Sequence, residues 1–168
     1  MNNPILKLPE LTRRQVRKLA ESPRLDDEQV LRAARRHIAV MVWDDEDEDG
    51  VPFRASVGYV IGMKIVPETG ALLIYAYTPN DGFRYYWKHA VAIPHYFLPQ
   101  LLFKLDEGYY IGKLMRFLNN DCTVACVYDA NGNCYEVQLS DIAVCSDVKL
   151  GLEVVSDSNS NDIEESRR

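Results

Sequence analysis

Six adjacent acids, Asp44-Asp45-Glu46-Asp47-Glu48-Asp49, followed by Gly50, are the densest cluster of chemically active side chains in this chain. Carboxylates hold a metal only when they converge from a fixed geometry, and this run lacks the spaced pattern of a calcium-binding EF-hand loop. Packed side by side they repel one another. The run therefore predicts an exposed loop that attracts a basic partner segment. The four cysteines, Cys122, Cys126, Cys134 and Cys145, are spaced by four, eight and eleven residues. Structural zinc sites use close pairs such as C-x₂-C, so these spacings predict buried free thiols. His37, His89 and His95 are scattered, and Ser140-Asp141 is far from each of them in sequence. No nucleophile elbow, phosphate-binding loop or dinucleotide fingerprint is present. Nothing argues for catalysis, a cofactor or a metal, and the chain reads as non-enzymatic.

A second set of charges lies at the N-terminal end. Residues 1–40 hold nine Lys/Arg against five Asp/Glu, whereas 41–168 hold ten against twenty, giving the net charge of −6. Arg13, Arg14, Arg17, Arg32, Arg35 and Arg36 are the candidate contacts for nucleic acid, by the electrostatic footprint such proteins carry. A solvated basic helix face gives the same pattern. The acidic remainder opposes phosphate, whose contacts dominate nucleic-acid affinity.

The elements that would position these groups follow from periodicity. A first helix is expected from roughly Thr12 to Glu21, capped by Thr12, with Val16, Leu19 and Ala20 on one face and Ser22-Pro23 ending it. A second begins near Asp26 or Asp27, with Asp27 and Glu28 at the positive end of its dipole and Val30, Leu31, Ala34 and Ile38 as its apolar stripe. The joining segment, Ser22 to Asp27, lacks the glycine of many helix-turn-helix turns, so a helical hairpin that caps the β-part is the expected role. From Phe53 the pattern is that of strands: Tyr59–Val66, Leu72–Tyr77, Phe83–Trp87 and Val91–Ile93, with turns at 67–70 and 79–82. Phe83, Tyr85 and Trp87 alternate, so they share a face.

The β-part reads as one unit written twice. Tyr59-Val60-Ile61-Gly62 matches Tyr109-Tyr110-Ile111-Gly112, residues 77–82 match 128–132, and Val91-Ala92-Ile93 matches Ile142-Ala143-Val144. The offset is 50 or 51, and Phe53 falls opposite Phe103. Such short units curl into small barrels, which limits exposed sheet edges. In the second copy Thr123, Ala125 and Val127 share one strand face, and Cys122, Val124, Cys126 and Tyr128 the other. Asn131-Gly132 is a hairpin signal because both residues tolerate positive φ.

The stretch Val127-Tyr128-Asp129-Ala130-Asn131-Gly132-Asn133, followed by Val137-Gln138-Leu139-Ser140-Asp141-Ile142, resembles a Tudor domain, one of the SH3-like barrels. The likeness covers about forty residues; the first copy shares it only through the second. It implies an aromatic cage for a methylated lysine or arginine, held by cation–π attraction. Carried onto this chain, the cage residues are Phe103, Tyr110 and Tyr128, with Asn133 as the polar closer. The sequence departs from the pattern at Asn131, where binding members carry an aromatic residue. The first copy offers Tyr59, Tyr77, Phe83, Tyr85 and Trp87. The same rings would also serve as core or as the seam between modules.

The sequence thus predicts a mainly β protein with N-terminal α: a helical pair over 1–42, an acidic loop over 43–52, SH3/Tudor-like barrels over 53–94 and 103–148 joined by a linker over 95–102, and a flexible tail over 149–168. The expected function is a non-enzymatic adaptor, or a regulatory or inhibitory module, that binds a protein partner with a basic or methylated segment. The alternatives are a nucleic-acid-associated protein using residues 1–40, and a viral or mobile-element effector that inhibits a host complex. No apolar run reaches the ~18–20 residues of a membrane span, and the first residues lack a secretory apolar region. An intracellular protein, in cytoplasm or nucleus, with reduced cysteines is expected.

Overall fold

Both helices start where the sequence says they should. Thr12 and Asp26 each cap the backbone N–H three residues on, and the Gln15 and Gln29 side chains return the bond to the cap. These reciprocal capping boxes satisfy two otherwise orphaned donors per helix. Helix α1 spans Arg13–Leu19 and α2 spans Asp27–Arg36. α2 ends on His37 in the left-handed region (φ 51), its side chain buried with Nδ1 3.1 Å from the Val60 carbonyl. The computed structural model describes residues 8, 10–98, 100–106 and 108–142 and, at Phe83, the backbone only; Cys145 and the expected tail lie outside these.

Eleven strands follow among the described residues: β1 (Ala39–Trp43), β2 (Asp45–Glu46), β3 (Pro52–Phe53), β4 (Ser56–Ile65), β5 (Leu72–Thr78), β6 (Phe83–Trp87), β7 (His89–Ala92), β8 (Gln100–Leu105), β9 (Gly108–Phe117), β10 (Val124–Tyr128) and β11 (Cys134–Gln138). They form a five-stranded sheet ordered β6-β5-β4-β1-β7, a four-stranded sheet ordered β11-β10-β9-β8, and the small hairpin β2-β3. The protein is mainly β with two N-terminal helices, as expected. The boundaries move, however. β1 is the central partner of β4 and β7, inside the segment assigned to helices, and β8 begins within the expected linker.

The order of four antiparallel strands occurs twice, and each copy is built on one long strand with two partners. Ser56–Tyr59 of β4 pairs with β1 and Tyr59–Ile65 with β5, across a bulge between Val60 and Gly62. Gly108–Lys113 of β9 pairs with β8, and Lys113–Phe117 with β10. The handover residues are therefore Tyr59 and Lys113, so the apparent match of Tyr59 with Tyr109 is out of register on this strand. Nor are Phe53 and Phe103 equivalent. Phe53 is 54% exposed in the β3 hairpin, while Phe103 is wholly buried on β8. Opposite β7, the second copy has a 3₁₀ turn, Leu139–Ile142, that contacts both β8 and β11; Ala143 and Val144 lie outside the described residues.

The two sheets share a core. Ala39, Met41, Trp43, Tyr59 and Val91 from the first pack in one cluster with Leu101, Phe103, Leu114, Phe117 and Val127 from the second and with Ile142 of the 3₁₀ turn. The other face of the first sheet (Val40, Val42, Val60, Ile74, Ala76) packs on Val30 and Ala33 of α2. The order of layers is α2, first sheet, second sheet. α1 sends Val16 and Leu19 to the shared core instead, so the helices serve opposite faces rather than forming a self-packed hairpin. On α2, Ala33 is buried and Leu31 is 41% exposed, which rotates the expected stripe by a position.

Candidate functional site

The aromatic residues singled out from the sequence divide among three places. Tyr59 is wholly buried between the sheets, its ring edge on Phe117 at 4.9 Å and its hydroxyl donating to the Leu114 carbonyl at 3.4 Å. Burial pushes its phenol well above the usual range. Tyr77 is half-buried at the same seam, with Phe117 at 5.9 Å and the Arg84 guanidinium over its ring at 5.6 Å. These two rings are seam, not cage.

In the second copy, Phe103 is buried beneath Tyr110, which is 45% exposed. Their ring centroids are 5.9 Å apart, and Tyr135 completes a trio at 5.6 Å from Phe103 and 6.2 Å from Tyr110. A cage wall must leave room for a cation that itself sits within ~6 Å of each ring centroid. Rings already in contact with one another leave no such space. Tyr128 lies on the β10 face opposite Val127 and pairs with Cys134 and Lys113. Asn133 is exposed and bound to Asp129, through its backbone N–H at 2.9 Å and its Nδ2 at 3.1 Å. Asp129 also accepts from the Asn131 N–H (2.9 Å) and the Tyr135 hydroxyl (3.0 Å). Only Gly132 of the turn has positive φ (85°); the Asp129 carboxylate does the work expected of Asn131. Tyr135 and Asp129 were not singled out from the sequence. The tight Asp-x-Asn-Gly-Asn spacing was the signal for Asp129, as side chains of this kind organise turns.

On the edge strand β6, Tyr85 is 50% exposed and meets Trp87 edge-on at 5.5 Å. Tyr86 points the other way and packs on Tyr75 at 4.6 Å. The side chain of Phe83 lies outside the described residues.

Trp87 also lines a cleft of about 540 Å³ beside the first sheet, walled by Phe53, Leu11 and Val57 and rimmed by Glu10, Asp44, Asp45 and Asp81. Three chain segments build it. The β2-β3 hairpin carries Asp45 and Phe53. The turn after β5 carries Asp81. The N-terminal segment carrying Glu10 is tied to that turn by reciprocal bonds between Leu8 and Asn80, at 2.6 and 2.9 Å. Asp44 caps the Lys88 N–H at 2.9 Å, and Asp81 accepts from Ser56 at 3.4 Å. Among the described residues none of the four carboxylates makes an ion pair, and the one cation in the lining, Arg54, lies over the Phe53 ring at 5.2 Å.

Their neighbours in the acidic run are paired. Arg13 binds Asp47 at 2.6 Å, which holds the Asp47 carboxyl below its usual range. Arg24 binds Glu46, stacks over Trp43 at 5.4 Å and approaches His89 Nδ1 at 3.0 Å. Two of the six acids of the run are thus taken up by the chain's own arginines. Of the other candidate cations, Arg32 pairs with Glu28 on its own helix at 3.6 Å, and Arg14, Arg17, Arg35 and Arg36 are exposed on α1 and α2. Cys134 is exposed, correcting the expectation of a buried thiol, whereas Cys122 and Cys126 are buried. Cys122 does not share a face with Cys126: it precedes β10 at φ 57 and joins the shared core, where burial raises its thiol to about 11.

No family model, no curated protein and no solved structure matches this chain.

Proposed function

We propose that this protein is a non-enzymatic interaction module that captures a basic segment of a partner protein in the acidic cleft. The observation that carries the reading is the set of four carboxylates, Glu10, Asp44, Asp45 and Asp81, with no ion pair among the described residues, around a cleft with aromatic walls. A lysine or arginine side chain suits such a place. Its charge meets carboxylates and its aliphatic stem or guanidinium plane lies on Phe53 or Trp87. Arg54 over Phe53 and Arg24 over Trp43 exemplify that stacking within the chain itself.

The scaffold reading is of two SH3/Tudor-like barrels fused through their cores. Supporting it, β7 returns to the free edge of β1, as a strand run does when it closes into a small barrel, and the same order of four strands recurs in the second sheet. The closed aromatic trio argues against methyl-mark reading at Phe103 and Tyr110, so docking at the cleft is preferred. Recognition of this kind is electrostatic at the rim and speeds association more than it deepens affinity.

The test is binding of fluorescein-labelled Lys/Arg-rich peptides by anisotropy, at several salt concentrations, beside an acidic peptide and labelled DNA and RNA of equal length. Salt-sensitive binding of the basic peptides alone is expected. Binding of nucleic acid but not peptide, or no salt-sensitive binding at all, overturns the reading.

A further inference from the structure

Cys126 and Cys134 lie on the adjacent antiparallel strands β10 and β11. The ladder pairs Cys126 with Glu136 and Tyr128 with Cys134, so the two cysteines are diagonal neighbours on one face. Diagonal residues stand roughly 7–8 Å apart at Cα, just past the usual reach of a disulfide of about 4.4–6.8 Å. The side chains make up the difference, because the two sulfur atoms are 2.7 Å apart. Unbonded sulfurs do not normally pack so closely, and the gap is only about 0.7 Å longer than an S–S bond. Solvent reaches one of the pair and not the other: Cys134 is exposed and Cys126 buried. The hairpin they span carries the Asp129 turn and Tyr135.

We propose that Cys126 and Cys134 are a thiol-oxidation site that closes reversibly into a cross-strand disulfide when the protein meets hydrogen peroxide. The Cys134 thiolate attacks one peroxide oxygen. The O–O bond breaks, and the departing hydroxide takes up one proton and leaves as water, so Cys134 becomes a sulfenic acid. The Cys126 sulfur then attacks the Cys134 sulfur. The S–S bond forms, the S–O bond breaks, and the hydroxyl leaves with the Cys126 proton as a second water. Two thiols lose two hydrogens, and the peroxide is reduced to two waters. A dithiol reductant reverses the bond by exchange. Burial, and then the neighbouring Cys134, hold the Cys126 thiol well above its usual range. It gives up its proton only at the resolving step, and the site oxidises more slowly than one built on two acidic thiols.

The test treats the reduced full chain with graded hydrogen peroxide, blocks free thiols with an alkylating agent, and maps it without reduction after cleavage before aspartate. That cleavage puts Cys122 and Cys126 on 121–128, Cys134 on 129–140 and Cys145 on 141–146. The expected product is 121–128 joined to 129–140, lighter by two hydrogens, with fragmentation placing the link at Cys126 and dithiothreitol releasing it. Cys134→Ser, at an exposed position, must abolish the link while leaving the circular dichroism spectrum unchanged. In Cys126→Ser, Cys134 must instead be trapped by a sulfenic-acid reagent such as dimedone. A link through Cys122 or Cys145, a peroxide-driven dimer in place of the internal bond, or full alkylation of Cys126 and Cys134 after peroxide overturns the proposal.

Discussion

The hydroxyl of Tyr59 on the first sheet donates to the carbonyl of Leu114 on the second at 3.4 Å, and no solvent reaches either residue. With Phe117 edge-on to Tyr59 at 4.9 Å, this contact lies in the core that the two sheets share.

Phe117→Ala removes a wholly buried ring from that seam and is expected to destabilise the whole chain by about 3–5 kcal/mol. Tyr59→Phe keeps the ring and loses one long hydrogen bond, so it should cost only about 0.5–1.5 kcal/mol. Urea unfolding followed by both far-ultraviolet circular dichroism and tryptophan fluorescence checks this. Both probes must move together in each variant, since both tryptophans belong to the first sheet and the circular dichroism signal reports both sheets.

Gly112 stands where β9 passes from β8 to β10. A Cβ there would meet the Val127 Cγ1 at 2.6 Å and the Tyr128 carbonyl at 2.8 Å. The backbone oxygen cannot swing aside as a side-chain tip would, so Gly112→Ala is expected to cost about 1–3 kcal/mol through overpacking. Gly132→Ala is strained for a different reason, its φ of 85°, with nothing near the added carbon. Denaturation midpoints of the two variants give the comparison.

Burial alone would raise the Asp129 carboxyl, but the bonds donated by Asn133, Tyr135 and Asn131 outweigh it and hold the group below its usual range. A depressed carboxyl contributes stability that is present above its unfolded value and is lost as pH falls through the folded one. The Asn131 and Asn133 amide resonances are therefore expected to stay fixed from neutral pH down to about the usual carboxylate range and to shift below it. Asp129→Asn should remove that acid limb. The same bond raises the Tyr135 phenol, so its ultraviolet titration should move down in Asp129→Asn.

Neutralising the cleft rim should weaken basic-peptide binding stepwise. Asp45→Asn and Asp81→Asn are each expected to lower affinity about 2- to 5-fold, the range of exposed ion pairs, with a shallower salt dependence. Glu48→Gln, outside the cleft lining, serves as the control. Trp43→Phe leaves Trp87 as the single indole, and a change in its emission on adding peptide places the ligand beside it.

Much of the scaffold could be read from local pattern, because capping boxes and alternating strands are local properties. Thr12, Asp26 and the strands of residues 59–92 fell near their expected places. β1 did not: Ala39, Met41 and Trp43 face one core and Val40 and Val42 the other. A strand buried on both faces has no alternation, and following a helix it reads as that helix's last turn. The twofold pattern was visible but misaligned on β4 and β9, since matching letters such as Tyr-x-Ile-Gly say nothing of which residue hands over between partners. The cleft was the least legible part. Asp44, Phe53 and Asp81 come together only through long-range folding, and the pairing of Glu46 and Asp47 with Arg24 and Arg13 joins charges that in sequence looked like opposite ends of a dipolar chain.

The common interior also limits how this architecture can be taken apart. A duplicated unit suggests a cassette to be copied, swapped or grafted alone. Here Tyr59 is finished by Leu114 and Phe117 of the second sheet, and Phe117 by Tyr59 and Tyr77 of the first. A single half lifted out would carry a raw apolar face, the kind of surface that drives unintended association. The smallest transferable piece is therefore the fused pair, and a substitution at the seam in one half calls for a compensating change in the other.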